Sequence, residues 1–166
     1  MISAQLILLI IFFCFFVIVF RGAPYVPTKK REIDDIFELH EFSTGERLVD
    51  LGSGDGKVIL AAAHRGVKAT GFELNPFLVI VSWWRLRRYK NVSVKMTDYW
   101  ATHLPKDTRV VYVFLASPYM KKLDTYLEQE TKRLGHDLLL ISNGMKISGR
   151  APHSKVSSLL AYEYKA

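Results

Sequence analysis

The sequence predicts an α/β domain with a doubly wound, mostly parallel sheet, preceded by an amino-terminal transmembrane helix. Three observations support this fold class. A glycine-rich turn directly follows an apolar strand, strand and helix patterns alternate after it, and the first twenty residues are almost entirely apolar. Alternating strands and helices form parallel sheets that helices cover on both faces. The 166 residues suffice for one such domain with a sizeable core.

The charge and the cysteine content limit the possible partners and the redox compartment of the protein. The net charge is +7, and Lys and Arg occur only from Arg21 onward. This balance suits nucleic acid, an anionic membrane surface or an acidic substrate, and composition does not choose among them. Cys14 is the only cysteine of the sequence, which excludes a disulfide framework within it and is compatible with a reducing compartment.

Residues 1–21 are predicted to form a transmembrane anchor, which makes the lipid bilayer an expected partner. The run from Leu6 to Phe20 is apolar throughout, and with the preceding residues it reaches the roughly 20 that a membrane-spanning helix needs. A cleaved signal peptide is the alternative, but the amino end lacks Lys and Arg and no small-residue cleavage site follows. Four cations follow the run by residue 31. They predict a single-pass protein with its domain on the cytosolic side, or on the matrix side in a mitochondrion.

Residues 22–28 are predicted to be a linker, because two prolines hold this segment extended. The folded domain then occupies residues 29–166. Thr28 is expected to cap a helix that runs to about Phe42. A turn at residues 43–46 leads into the first strand.

Five strands and three further helices are predicted after that turn. The strands are Arg47–Leu51, Lys68–Leu74, Val92–Thr97, Arg109–Leu115 and Asp137–Ser142. The helices are about Gly56–His64, from Pro76 toward Lys90, and about Pro118–Leu134, with Gly135 ending the last one. The alternating tail "KVSSLLAYEYKA" predicts a final strand, as the second arm of a hairpin.

The helix after the second strand has a clear start and an ambiguous end. Asn75 is a favourable cap and Pro76 a favourable first helical residue. The closing sequence "RLRRYK" is interpreted as a solvated helix end, where cations suit the helix dipole. A substrate or lipid contact is the alternative interpretation.

The turn "DLGSGDGK" is the main candidate binding site, because ligands of open α/β sheets lie beyond the carboxyl ends of the strands. Its glycines alternate from Gly52 to Gly56, and Lys57 is followed by Val58. The turn therefore matches neither a P-loop, which needs Ser or Thr after the lysine, nor the dinucleotide pattern GxGxxG. Asp50 and Asp55 flank it, which disfavours a pyrophosphate. They favour a ligand with an ammonium and a sulfonium, and S-adenosylmethionine has both.

Acidic residues also follow the next two strands. Glu73 can accept hydrogen bonds from both ribose hydroxyls. Asp98 can accept one from an adenine amino group, with Tyr99 or Trp100 against the ring face. Each acid alone could be a turn former or a helix cap. Together with Asp50 they place a carboxylate at the end of each of the first three strands, which indicates a cofactor site.

Three motifs, "VDLGSGDGKVILAAA", "GFELNP" and "VSVKMTDYW", resemble the successive cofactor motifs of class I, seven-strand S-adenosylmethionine-dependent methyltransferases, whose sheet is Rossmann-like. With "PYVPT" and "VVYVFLASPYMKKL", the chain further resembles the small membrane-anchored protein lysine methyltransferases. Mitochondrial members of that group modify the ATP synthase c-subunit and the adenine nucleotide translocator. The resemblance covers nearly everything after the apolar run. It implies methylation of lysine side chains on a membrane or membrane-associated protein.

The resemblance also implies which residues contact the cofactor, S-adenosyl-L-methionine, and it implies no metal. The segment from Tyr25 to Thr28 is expected to fold over the methionine end. The implied cofactor contacts are Tyr25, Pro27, Thr28, Asp50, Gly52, Ser53, Gly54, Glu73, Leu74, Asn75, Asp98, Tyr99 and Leu115.

The catalytic candidates are Tyr25, Ser117 and Tyr119. A lysine nucleophile must lose its proton, which an apolar, aromatic site favours by lowering the pKa of the amine. Ser117 and Tyr119, in "LASPYM", are placed to orient that amine. A structural alternative is that Ser117 caps the next helix and Pro118 starts it. Asn143 is the next candidate if these fail.

Two rival functions remain open from sequence. A nucleic-acid amino-methyltransferase would carry Asp, Asn or Ser followed by two prolines and an aromatic residue, whereas "SPY" has one proline. The basic charge suits a phosphate backbone, but a membrane anchor argues against a nucleic-acid partner. The second rival is a membrane-tethered module that binds the cofactor without catalysis.

Overall fold

The computed structural model describes residues 3, 5, 6, 8, 9 and 28–166. The predicted anchor, residues 1–21, lies almost wholly outside this range, as do the linker before Thr28 and the candidates Tyr25 and Pro27. Within the described residues, no helix is long and apolar enough to cross a membrane.

Seven strands form one mixed sheet in the order β3-β2-β1-β4-β5-β7-β6. The first five are mutually parallel, and β7 runs antiparallel to both β5 and β6. The predicted doubly wound, mostly parallel sheet and the closing hairpin are therefore confirmed. The strands are β1 Arg47–Leu51, β2 Lys68–Glu73, β3 Val92–Met96, β4 Thr108–Val113, β5 Leu138–Asn143, β6 Ser154–Val156 and β7 Leu159–Tyr164.

Among the described residues, four helices cover the two faces of this sheet: α1 Lys30–Leu39, α2 Lys57–His64, α3 Pro76–Leu86 and α4 Met120–Leu134. Helices α1, α2 and α3 pack on one face and α4 packs on the other. Alternate strand residues supply the two cores, because successive side chains of a strand point to opposite faces. Leu48 and Val110 face α1–α3, whereas Val49 and Val111 face α4.

Helix α1 differs from the prediction at both ends. Its cap position is Lys29 rather than Thr28, and the Lys29 backbone N–H donates to Glu32 Oε2 at 3.0 Å. The helix ends at Leu39, three residues before Phe42, because the backbone becomes extended at His40. This allows the Phe42 ring to pack 5.7 Å from the Phe37 ring.

The predicted start of α3 is confirmed. Asn75 Oδ1 accepts hydrogen bonds from the backbone N–H groups of Phe77 at 2.9 Å and Leu78 at 3.4 Å. The helix ends at Leu86, so most of "RLRRYK" lies beyond it.

Helix α4 begins two residues later than predicted, because residues 117–119 form a separate 3₁₀ turn. Its predicted end is confirmed: Gly135 has φ 71°, and its N–H donates to Thr131 O at 3.0 Å. A left-handed glycine at this position closes a helix without steric strain.

Candidate functional site

The glycine turn between β1 and α2 is fastened to the end of β2. The backbone N–H groups of Gly52 and Ser53 both donate to Phe72 O, at 2.8 and 3.0 Å. Gly52, Gly54 and Gly56 have φ of 86°, 55° and 76°. These left-handed values strain other residues, which explains why glycine alternates here.

Ser53 lies at the bottom of this turn, directly against the adjacent strand. A Cβ added at Gly71 would collide with Ser53 Oγ, so β2 needs glycine at that position. Ser53 Oγ is buried and finds no hydrogen-bond partner among the described residues. The Ser53 side chain therefore occupies the space that a side chain at position 71 would need.

Glu73, at the end of β2, organises the site through backbone amides. Its side chain is buried, and Oε2 accepts from Gly54 N–H at 2.8 Å. Oε1 accepts from the N–H groups of Leu74 at 2.9 Å and Asn75 at 2.7 Å. Glu73 is therefore not the cap of α3, which was the structural alternative, because the cap position is Asn75 and the three amides that Glu73 binds lie outside that helix. A carboxylate offers about four lone-pair sites, so three donors leave capacity for one ligand hydroxyl.

Asp50 is buried at the end of β1, with 3% of its surface exposed, and no described residue donates a hydrogen bond to its carboxylate. Burial, and then the charges of Glu73 and Asp55, raise its pKa well above the usual range. A positively charged group placed beside it would favour the ionised form. The site thus fits a cationic ligand at this position.

Asp55, unlike Asp50, already has cationic partners within the protein. This corrects the expectation that its charge would attract a cationic ligand. Asp55 Oδ2 lies 2.9 Å from Arg85 Nη1 and 3.2 Å from Lys57 Nζ. Burial opposes ionisation, but the hydrogen bonds from these two cations lower the pKa of Asp55. Its charge is neutralised within the protein.

Asp98 follows β3 and opens a 3₁₀ turn, where Oδ1 accepts from Trp100 N–H at 3.0 Å. The side chain is exposed, so its second oxygen remains available. The rings of Tyr99 and Trp100 lie 4.6 Å apart and pack against the core cluster that contains the buried Leu115. Burial, and then Asp98, raise the pKa of Tyr99 above its usual range, which keeps its hydroxyl protonated.

The segment after β4 carries the two described catalytic candidates. Ser117 is exposed, and its side chain caps no helix, since the cap position of α4 is Tyr119. The structural alternative for Ser117 is therefore wrong. Tyr119 is half-buried and packs against the same core cluster as Tyr99 and Leu115.

A buried polar cluster joins two candidates from the sequence, Thr28 and Asn143, to Tyr112, which was not predicted. The Tyr112 hydroxyl lies 3.3 Å from Thr28 Oγ1 and accepts from Asn143 Nδ2 at 3.3 Å. Asn143 Oδ1 in turn accepts from Ser158 Oγ at 2.9 Å. Burial raises the pKa of Tyr112 to about 12. Tyr112 pairs with Asp50 in the β1–β4 register, so the cluster adjoins the unpartnered acid. The signal in the sequence was a tyrosine inside the apolar strand "RVVYVFL".

Residues 50–154 match the ANTKMT methyltransferase domain. The chain belongs to the ANTKMT methyltransferase domain family. The matched range contains Asp50, the glycine turn, Glu73, Asp98 and the segment after β4, whereas Thr28 precedes it.

Two lysine N-methyltransferases are similar in sequence to this chain over about the same part of it. The ATP synthase c-subunit lysine N-methyltransferase of Homo sapiens is 34% identical over 110 residues, which cover 64% of this chain and 46% of that protein. The adenine nucleotide translocase lysine N-methyltransferase of Mus musculus is 37% identical over 111 residues, covering 64% and 48%. The matched part thus spans about half the length of these relatives.

Among solved structures, an RNA methyltransferase from Salinibacter ruber, in complex with S-adenosyl-L-homocysteine, has the same fold. Its TM-score is 0.74 at 25% sequence identity, and the likeness covers 84% of this chain and 93% of that one.

Two residues hold the glycine turn of this ANTKMT methyltransferase domain in roles that were not predicted from the sequence. Ser82 Oγ donates to Gly54 O at 2.9 Å from the buried face of α3, and Arg85 binds Asp55. A serine inside the apolar run "FLVIVSWW" was the available signal for the first. Of the two predicted cofactor contacts that follow Glu73, Asn75 is buried and Leu74 is exposed.

Proposed function

We propose that the chain is an S-adenosylmethionine-dependent protein lysine N-methyltransferase that acts on a membrane or membrane-associated protein. One observation carries the proposal: the match to the ANTKMT methyltransferase domain includes the acids and glycines that form the site. The similar proteins of human and mouse are named as lysine N-methyltransferases.

The polar groups of the site suit this cofactor, which when bound supplies a methyl group activated by a sulfonium. Asp50 is a buried carboxylate without a described donor, which suits an ammonium. Glu73 retains acceptor capacity for a ribose hydroxyl, and Asp98 retains an oxygen for an amino group. Tyr99 and Trp100 offer aromatic surface beside Asp98 for an adenine ring.

The chain's own residues would bind and align an incoming amine. Methyl transfer is an in-line displacement, so the enzyme contributes chiefly through orientation. Ser117 and Tyr119 carry hydroxyl oxygens that can accept from the amine, next to the buried Leu115. Apolar and aromatic surroundings exclude water and lower the pKa of a lysine, which favours the neutral nucleophile. Tyr25 and Pro27, outside the described residues, are proposed to complete this opening.

We also propose that residues 1–21 anchor the protein in a membrane and that residues 22–28 link this anchor to the domain. The support is the uninterrupted apolar run to Phe20 and the cations that follow it. The positive-inside rule then favours a domain on the cytosolic side, or on the matrix side if the protein is mitochondrial.

RNA methylation is the second candidate, because the Salinibacter ruber protein is an RNA methyltransferase that covers most of this chain. The single proline of "SPY" at residues 117–119 disfavours it.

Transfer of tritium from methyl-labelled S-adenosylmethionine separates the candidates. The full chain is incubated with membrane fractions and, separately, with total RNA, and Asp50→Asn serves as the matched variant. We expect label in membrane protein and not in RNA, with much less for Asp50→Asn. Label confined to RNA would establish the second candidate. Tight cofactor binding without transfer to either would indicate a non-catalytic module.

A further inference from the structure

Helix α3 exposes an unusual amount of apolar side chain for a helix of a folded domain. Trp84 is 68% exposed and Ile80 is 58% exposed. Leaving aside Leu74, a candidate cofactor contact, we call the exposed apolar residues of this helix and its neighbouring strand the α3 surface: Phe77, Ile80, Val81, Trp83, Trp84 and, from the adjacent edge strand β3, Met96. Contiguous exposed apolar surface of this kind marks an interaction site.

The opposite side of α3 packs into the core. The α3 surface is therefore apolar area that the fold of the domain does not need to bury. Val79, Ser82 and Leu86 face inward and are buried. Trp83 Nε1–H donates to Val94 O at 2.9 Å, which fixes the indole at the sheet edge while half of it stays exposed. Trp83 therefore has a defined position before any partner binds.

The chain segment that carries the α3 surface is rich in positive charge, and the exposed Asp98 lies just beyond its carboxyl end. Residues 74–97 contain five Lys or Arg and no Asp or Glu. Arg85 is neutralised by Asp55. Among the described residues, the exposed Arg88, Lys90 and Lys95 form no ion pair. Helix α4, on the other face, mixes both signs along its length.

We propose that the α3 surface docks into the interfacial layer of an anionic bilayer. Exposed Trp, Phe and Ile side chains enter the boundary between headgroups and acyl chains, and flanking Lys and Arg bind lipid phosphates. Arg88, Lys90 and Lys95, which are unpaired among the described residues, select an anionic surface, and the exposed tryptophans suit its interface. The helix would lie in the membrane plane. Docking goes beyond methyl transfer and does not require it.

A fluorescent label on the full chain tests this docking. In a Cys14→Ser background, Ile80→Cys on α3 and Gln129→Cys on the exposed side of α4 each receive an NBD group. The vesicles are phosphatidylcholine, with or without phosphatidylglycerol. On anionic vesicles we expect blue-shifted emission, quenched by doxyl-labelled lipid, at position 80 and not at position 129. The comparison between positions separates docking from anchoring, because an anchor brings both near the membrane.

Charge variants test the lipid selectivity. Arg88→Gln with Lys90→Gln should reduce the ratio of immersed to free label about fivefold for each cation removed. Lys121→Gln with Lys132→Gln, the same charge loss on α4, should leave it unchanged. An emission at position 80 that stays water-like on anionic vesicles would overturn the proposal. So would an equal shift on neutral vesicles, a shift with single-stranded RNA alone, or a concentration-dependent shift without lipid, which would indicate a second copy.

Discussion

Replacing Glu73 with alanine should destabilise the fold as well as weaken cofactor binding. The Glu73 carboxylate accepts from three backbone amides, those of Gly54, Leu74 and Asn75, at 2.7–2.9 Å. A buried donor left without a partner costs about 1–3 kcal/mol. The hydrogen bonds from Gly54 and Asn75 are buried, and the one from Leu74 is partly buried. Counting one such cost for each of the two buried donors, we expect a loss of about 3 kcal/mol in the free energy of unfolding.

Urea unfolding of the full chain in one detergent and buffer measures this loss. Glu41→Ala, which removes an exposed carboxylate, is the matched control and should stay within about 0.5 kcal/mol of the wild type. Glu73→Gln keeps one acceptor oxygen and should lose less than Glu73→Ala. A Glu73→Ala protein as stable as the control would refute the three-amide role.

Calorimetry on the same proteins measures the second role of Glu73. We expect S-adenosylmethionine binding to weaken by about 1.5–3 kcal/mol in Glu73→Ala, the scale of a hydrogen bond to a charged group. A destabilised variant with unchanged affinity would show that Glu73 holds the turn and does not contact the ribose.

Three further predictions concern the rest of the site. The raised pKa of Asp50 means that its contribution to stability is complete below the unfolded-state pKa, near 4, and is lost as pH rises through the folded-state pKa. Urea titrations of ligand-free protein should therefore show that Asp50→Asn gains stability relative to the wild type as pH rises. Calorimetry should show that the same variant binds the cofactor more weakly. A difference in unfolding free energy that does not change with pH would contradict the raised pKa of Asp50. Arg85→Gln should lose about 1–3 kcal/mol in unfolding free energy, because Asp55 then keeps only Lys57 as a partner. An unchanged urea midpoint would show that the Asp55–Arg85 pair does not stabilise the turn. Ser117→Ala with Tyr119→Phe should lower the single-turnover methylation rate more than cofactor affinity; an unchanged rate would place the amine site elsewhere.

Features governed by local sequence were predictable. Asn75 caps α3 as expected, because its side chain reaches N–H groups only two and three residues ahead. Gly135 ends α4 and the alternating glycines form a left-handed turn, because both depend on the conformational freedom of glycine. The positions of Asp50 and Glu73 were also predictable, because the carboxyl ends of parallel strands lie at the same edge of the sheet.

Features that depend on distant partners were not predictable. The pairing of Asp55 with Arg85 joins residues thirty positions apart, and it reverses the expected electrostatic role of Asp55. Thr28 was expected to cap a helix, but its hydroxyl contacts Tyr112, eighty-four positions away. No local pattern encodes such contacts, since they arise from the packing of α1 and α3 against the sheet.

The central claim, methylation of protein lysine, is tested most directly by identifying the modified amino acid. Membrane proteins labelled by the full chain with methyl-tritiated S-adenosylmethionine are hydrolysed to amino acids, and the radioactive product is separated against standards. We predict that the label elutes as methylated lysine, and that Asp50→Asn yields little of it. Label in methylated arginine or histidine, or its absence from protein while RNA is labelled, would contradict the claim.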